Sequence, residues 1–175
     1  MLTLKEVGPG LPGLARRAIE SWLQGQALSP QDQEVPAAPV FVSLHDKSGG
    51  LRGCMGTLVA TEMDVCKETA RCAVLSATRD PRFDPITPHE LEQVNIDVTV
   101  LCPLESIEGP GALDPKRYGV VVSDARGRRG VLLPDLEGID DVETQLSIAK
   151  RKAGIGQNSP VSLQRFEALR FNEQT

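Results

Sequence analysis

Apolar and polar positions follow two different periods along the chain. From Leu11 to Gln24 the apolar residues recur at every third or fourth position, which predicts an amphipathic helix that ends at Gly25. Val40–His45 and Leu51–Val59 are rich in apolar and β-branched residues and are separated by a short polar stretch with two glycines, which predicts a β-hairpin. Val94–Leu101 alternates between apolar and polar residues, so it predicts a half-buried strand.

The remaining segments add helices and strands in an irregular order. One helix is predicted to begin at Thr61 and to end just before Asp80, and a second, capped by Asp140, is predicted to run through Ala153. Thr87 opens a capping box with Glu90. Further predictions are strands at Tyr118–Ser123, Gly130–Leu133 and Ser162–Phe171, and a proline-rich loop at Ser29–Pro39. This order predicts an α+β fold with a mixed, mainly antiparallel sheet and flanking helices.

Composition narrows the class of protein. A length of 175 residues predicts a single domain over 1–175, with room for two lobes. The absence of a long apolar stretch or a leader sequence predicts a cytoplasmic protein with no membrane partner. The chain has only two histidines, and its four cysteines form no C-x-x-C pair, so we expect no metal and no cofactor. The net charge of −5 makes nucleic acid an unfavoured partner.

The most unusual segment is Leu51–Thr57, where two glycines flank Cys54 inside a predicted strand. Glycine destabilises a strand unless the backbone bulges or another group approaches it closely. Arg52 stands two residues before Cys54, and a neighbouring guanidinium favours a reactive thiolate. Cys54 is therefore a candidate nucleophile, with a small buried hydrophobe as the alternative. If residue 45 pairs with 51, His45 faces away from Cys54, and a register slip of one residue reverses this.

A second cluster follows the predicted helix at Asp80-Pro81-Arg82-Phe83. One interpretation is substrate positioning, with Arg82 holding a carboxylate or a phosphate. The other is a local pair between Asp80 and Arg82, with Phe83 filling the core. Asn95, Asp97 and Thr99 share one strand face, which is either a solvated surface or the wall of a polar cleft.

Two basic segments, Arg126–Arg129 and Lys150–Lys152, stand in the second half of the chain. The second is typical of a helix end stabilised by the helix dipole. Together they support a weaker hypothesis, an RNA contact, against which the acidic net charge argues.

The motifs taken together resemble the AMMECR-one domain family. The run Leu51–Thr57 (LRGCMGT) resembles the family's L-R-G-C-I-G hallmark, with Met55 in place of isoleucine, and Asp80–Phe83 and Asn95–Leu101 resemble two further family segments. The similarity extends from Ala15 to Phe171.

This resemblance implies an α+β domain with two unequal lobes, the hallmark lining the cleft between them. It also implies Memo-like and radical-SAM-type proteins as partners. It supports an enzyme or enzyme subunit that binds an anionic or peptide-like substrate, as a monomer or a homodimer, with Cys54 as candidate catalytic residue. The candidate substrate-binding residues are Arg52, Gly53, Gly56, Thr57, Asp80, Arg82 and Phe83. The alternative is a non-catalytic protein-binding module.

Overall fold

The computed structural model describes residues 2–28, 30 and 34–173. Its helices and strands, in chain order, are α1 (Leu4–Val7), α2 (Leu11–Leu23), β1 (Val40–Asp46), β2 (Leu51–Gly56), α3 (Val65–Thr78), α4 (Pro88–Leu91), β3 (Val94–Leu101), β4 (Glu105–Ile107), β5 (Gly119–Ser123), β6 (Arg129–Leu132), α5 (Val142–Lys152), β7 (Ser162–Phe166) and β8 (Ala168–Asn172). Short 3₁₀ turns stand at Gly8–Gly10 and Pro110–Ala112.

The chain divides into two compact units. Unit 1 extends to Leu101 and resumes at Leu169, whereas unit 2 comprises Cys102–Ala168. Each unit has its own four-stranded sheet, in the order β2-β1-β3-β8 for unit 1 and β4-β7-β5-β6 for unit 2. The strand pairs with a described register are all antiparallel. The prediction of an α+β fold with antiparallel strands and flanking helices is confirmed, and the strands form two sheets instead of one.

In unit 1 the residues of β1 alternate between buried and partly exposed positions, and the buried ones belong to the apolar core. Val40, Val42 and Leu44 are fully buried on one face, and α3 packs against β1 and β2. Small residues of α3, including Ala73 and Ala77, are also buried, so the helix can lie close to the sheet. This packing fixes the position of β2, which carries the LRGCMG segment.

Unit 2 repeats this arrangement with fewer elements. α5 packs on β5 and β6, and its buried Ala149 belongs to the same apolar cluster as Val120, Val122 and Leu132. Asp141 caps α5 by accepting a hydrogen bond from the Thr144 backbone.

Several predicted boundaries are wrong because side chains find other partners. β2 ends at Gly56 and not at Val59, since the Thr57 hydroxyl turns to Glu68. The helix predicted from Thr61 begins at Val65 with Asp64 as its cap, and Thr61 also bonds to Glu68. The cap of α5 is one residue later than the predicted Asp140.

The predicted final strand, Ser162–Phe171, is two strands. β7 lies in the sheet of unit 2 and β8 in the sheet of unit 1. The break falls at Glu167, whose carbonyl accepts a hydrogen bond from the Cys102 amide.

Three further predictions have separate outcomes. The Thr87 capping box is present at α4. Within the predicted loop at Ser29–Pro39, Ser29 and residues 31–33 lie outside the described residues. No helix in the part of the chain that the structure describes is both long and apolar enough to cross a membrane.

Candidate functional site

A β-bulge in β2 decides which face of the sheet carries Cys54. His45 pairs with Leu51, but Leu44 pairs with Gly53 and Ser43 with Cys54, so Arg52 is an extra residue without a cross-strand partner. In a regular hairpin that pairs 45 with 51, residue 54 would lie opposite residue 42. The extra residue of the bulge shifts the pairing by one position, so Cys54 lies opposite Ser43. Of the two registers left open above, the structure has the slipped one, and both His45 and Cys54 lie on the sheet face of Ser43.

That sheet face carries four polar side chains in adjacent positions. Ser43 stands opposite Cys54 on one side and opposite Asp97 on the other. The Ser43 hydroxyl donates a hydrogen bond to the Cys54 sulfur at 3.2 Å, and His45 Nδ1 lies 3.4 Å from a carboxylate oxygen of Asp97. The half-buried Cys54 thiol thus has a hydroxyl group as its direct neighbour, and an imidazole beside a carboxylate lies on the same sheet face.

Asp80 joins the Asp-Pro-Arg-Phe loop to the Cys54 backbone. Its carboxylate accepts hydrogen bonds from the Cys54 amide at 2.9 Å and from the Arg82 guanidinium at 2.7 Å. Asp80 is 3% exposed, and the Arg82 hydrogen bond holds the pKa of its carboxyl well below the usual range. The predicted local pair between Asp80 and Arg82 therefore exists, and it also sets the position of Cys54.

Arg82 lies close to the thiol-bearing residue. One terminal nitrogen of its guanidinium is 3.5 Å from the Cys54 carbonyl oxygen, and its side chain is 54% exposed. The Arg82 guanidinium, although paired with Asp80, thus keeps an exposed part beside Cys54.

Arg52 is engaged by two other parts of unit 1. Its guanidinium bonds to the Glu90 carboxylate and to the Asp84 carbonyl. Arg52 and Arg82 each place their guanidinium carbon 5.6 Å from the centre of the Phe83 ring. Phe83 is half-buried and does not belong to the apolar core clusters of the described residues, so the interpretation that it fills the core is wrong.

The glycines of the motif permit close packing. A Cβ atom on Gly53 would overlap the Ser76 carbonyl of α3, and one on Gly56 would overlap the Phe41 ring and the Val40 carbonyl. Both positions therefore require glycine for the approach of a neighbouring backbone.

Thr57 is held by a buried carboxylate that the sequence did not indicate. Glu68 is fully buried and accepts hydrogen bonds from the hydroxyl groups of Thr57 and Thr61, the amides of Thr61 and Glu62, and the Arg71 guanidinium. Burial raises the pKa of its carboxyl, but the hydrogen bonds, led by that from Arg71, lower it to about 2. Thr57 therefore anchors the loop after β2.

The sequence does contain a signal for the α3 side of the site, namely polar residues and a cysteine spaced four apart. Glu68, Cys72 and Ser76 follow one another along one ridge of α3, and Asp80 continues the spacing beyond its end. The Ser76 hydroxyl accepts a hydrogen bond from the Met55 amide, as Asp80 does from that of Cys54. The ridge thus supports β2 along much of its length.

The predicted site residues all lie in unit 1, but they form two groups. In the first group, Asp80 bonds to Cys54 and Arg82, and the guanidinium groups of Arg52 and Arg82 lie near the Phe83 ring. In the second group, Thr57 bonds to Glu68. No group of three or more potential metal ligands exists among the residues that the structure describes. The basic segments Arg126–Arg129 and Lys150–Lys152 belong to unit 2.

Comparison with known proteins identifies the family. The sequence model of the AMMECR1 family matches residues 12–175. The chain belongs to the AMMECR1 family. A relative from Thermotoga maritima is 43% identical over an alignment of 166 residues, and the match covers 90% of this chain and 94% of the relative. A longer relative from Clostridium acetobutylicum is 41% identical over 134 residues, which are 77% of this chain but only 28% of that protein.

A solved structure also has this AMMECR1 fold. The crystal structure of an uncharacterized protein from Pyrococcus horikoshii matches with a TM-score of 0.87 at 32% sequence identity. The match covers 97% of this chain and 92% of that chain. The family and the fold are therefore established together.

Proposed function

We propose that this AMMECR1 protein is an enzyme whose Cys54 thiol attacks an anionic acyl or peptide-like substrate. The observation that carries the proposal is the bulged register, which puts Cys54, Ser43, His45 and Asp97 on one sheet face. A nucleophile, a base and a group that orients the base are the components of thiol catalysis. Arg82, exposed beside Cys54, supplies a positive charge for the anionic group of the substrate.

The proposed reaction transfers an acyl group through the sulfur. The Cys54 thiol proton passes to the His45 imidazole, directly or through one water molecule, as the sulfur bonds to the carbonyl carbon. The leaving group departs with that proton. Water then hydrolyses the thioester, which releases the acid and restores the thiol. Asp97, 3.4 Å from Nδ1, is assigned the role of orienting the imidazole, and Ser43 orients the sulfur by its hydrogen bond.

The site is held in place by groups outside the reaction. Asp80 fixes the Cys54 backbone, and Ser76 fixes that of Met55. Arg52 is engaged by Glu90 and packs on Phe83, so it supports the loop and is assigned no contact with substrate.

Alkylation with two reagents of similar size and different charge tests both parts of the proposal. Iodoacetamide is neutral and iodoacetate is anionic, so their relative rates at Cys54 report an anion-binding group. We expect Cys54 to react with both, and Arg82→Gln to slow iodoacetate at least threefold more than iodoacetamide. The control Arg79→Gln removes an exposed cation at the end of α3 and should leave the ratio unchanged.

Two results would count against the proposal. An unreactive Cys54 in the folded protein would remove the nucleophile. A reactive Cys54 whose reagent preference is the same in Arg82→Gln would remove the anion subsite. Thermal unfolding of each variant shows whether the fold is retained.

A second candidate is a protein-binding module. The loop after β2 exposes Val59 and Met63, at 67% and 86%, while Glu68 fixes the loop's backbone. Exposed apolar side chains on a fixed loop suit a protein contact, and the Memo-like and radical-SAM-type proteins remain the proposed partners. Under this candidate Cys54→Ser retains function, whereas Val59→Asp with Met63→Asp abolishes partner capture.

A further inference from the structure

Two basic segments that are distant in sequence meet at one end of unit 2. Arg126 and Arg128 lie in the tip between β5 and β6, Arg129 is the first residue of β6, and Lys150–Lys152 form the last turn of α5. The Arg128 guanidinium donates to the Gly154 carbonyl just beyond α5, and Lys152 Nζ donates to the Val131 carbonyl at 3.1 Å. We call this surface, formed by residues 125–134 and 144–162, the basic end.

The charge of the basic end is opposite to that of the whole chain. Its two segments contain six Lys or Arg residues and no Asp or Glu, although the chain carries a net charge of −5. The adjoining Asp124 pairs with Arg128 at 2.7 Å. Lys150 donates to the Gln157 and Ser159 carbonyls, and such neutral acceptors hold an ammonium group without cancelling its charge. A net positive field therefore remains.

The helix dipole accounts for only part of this concentration of charge. It favours cations in the last turn of α5, where Lys150–Lys152 lie. The hairpin arginines belong to a different element, and Arg126 has an exposed side chain, as does Arg151 on the helix. Arg129 reaches Gln164 of β7 and marks the margin of the surface.

We propose that the basic end docks an acidic segment of a partner protein. Arginine binds carboxylates through paired hydrogen bonds, and the exposed Arg126 and Arg151 offer such contacts. The Clostridium relative supports a protein partner, because its AMMECR1-like region is joined to a much longer polypeptide. This surface is independent of Cys54, and its partner does not depend on the reaction proposed above.

Nucleic acid fits the surface less well. No aromatic residue occurs between residues 119 and 165, so the basic end offers no ring on which bases could stack. The net negative charge of the chain also repels a long polyanion, whereas a short acidic segment interacts only with the local field.

Binding of a short labelled peptide of consecutive glutamates, called poly-glutamate below, to the full chain tests the proposal. Fluorescence anisotropy at low salt should show binding that weakens as salt is added. Arg126→Glu combined with Arg151→Glu should weaken binding at least tenfold. The control, Arg17→Glu combined with Arg79→Glu, makes the same change in net charge at exposed positions of unit 1 and should change affinity less than threefold.

Three results would overturn the proposal. The first is no binding of poly-glutamate at low salt. The second is an equal loss of affinity in the control variant, which would mean that net charge alone controls binding. The third is tighter binding of polyuridylate than of poly-glutamate, which would assign the surface to nucleic acid.

Discussion

The two units solve the same packing problem but bury different polar groups. In each, a helix crosses a β-hairpin at a glycine, with Gly53 against the Ser76 carbonyl in unit 1 and Gly130 against the Ala149 carbonyl in unit 2. Among the described residues, unit 1 buries Asp64, Glu68 and Asp80, whereas unit 2 buries Gln145 as its polar residue.

Two of the buried acids of unit 1 serve the segment that carries Cys54 and are not a requirement of the fold. A buried carboxylate must recover a large desolvation cost, and apolar packing usually stabilises a protein as well or better. In unit 2 the helix lies on its hairpin with Gln145 as the buried polar residue, and the acid with the least exposed side chain there, Asp124, stands at the hairpin tip. Glu68 and Asp80 instead fix the two ends of the Cys54–Thr57 segment. We therefore interpret them as groups that preorganise the site.

The largest effect is expected from Glu68→Gln. The substitution removes the nearer of the two ionic partners of Arg71, leaving Glu62 at 3.8 Å, and changes the acceptor for the Thr61 and Glu62 amides. Disruption of a buried ion pair predicts a loss of about 3 kcal/mol in the free energy of unfolding. Chemical denaturation measures this, with the exposed Glu92→Gln as control. A loss below about 1 kcal/mol would show that Glu68 is not central to unit 1.

Acid should weaken unit 1 more than unit 2. The pKa of Glu68 is lowered to about 2 from 4.5, so its contribution is complete above pH 4.5 and is lost as the pH falls toward 2. Asp80 acts in the same direction. Hydrogen exchange in that pH range should therefore show a greater loss of protection in β2 and α3 than in β6 and α5. Equal losses would contradict the distinction between the units.

Replacing the glycine that contacts the helix with alanine should lower the free energy of unfolding by the same amount in the two units. Gly53→Ala and Gly130→Ala each place a methyl group against a helix carbonyl, and overpacking of this kind predicts a loss of about 2 kcal/mol. Gly10→Ala and Gly109→Ala, which have open space at the Cβ position, should be nearly neutral. A large effect at Gly53 alone would show that the packing is not shared.

The smallest effect on stability is expected at His45, whose side chain is half-exposed and lies next to Asp97. His45→Gln should leave stability within about 0.5 kcal/mol, as for other half-exposed positions. It should slow alkylation of Cys54 at neutral pH several-fold, because the imidazole is the proposed proton acceptor. His89→Gln, on the exposed side of α4, is the matched control. An unchanged rate in His45→Gln would remove the base from the mechanism.

The sequence predicted the elements better than it predicted their partners. Periodicity located α2 and the strands Val40–Asp46 and Val94–Leu101, because one face of each is buried. Cys54, Asp80 and Arg82 were recognised as candidates from local motifs. The engagement of Arg52 by Glu90 was not predictable, since the two residues are 38 apart in sequence. The bulge at Arg52 was not located because the apolar pattern alone does not fix the register of the hairpin. Glu68 was missed because an acid in a helix normally faces solvent.

The most direct test of the central claim compares the alkylation rates of the cysteines in the native protein. Burial raises the pKa of Cys72 to about 12 and also raises that of Cys66, so both should react very slowly. The half-buried Cys54 contacts Ser43 and Arg82 and shares its sheet face with His45. Mass spectrometry after timed iodoacetamide treatment at neutral pH should show Cys54 modified at least a hundredfold faster than Cys72. Equal, slow modification of the two thiols would contradict the claim that Cys54 is an active nucleophile.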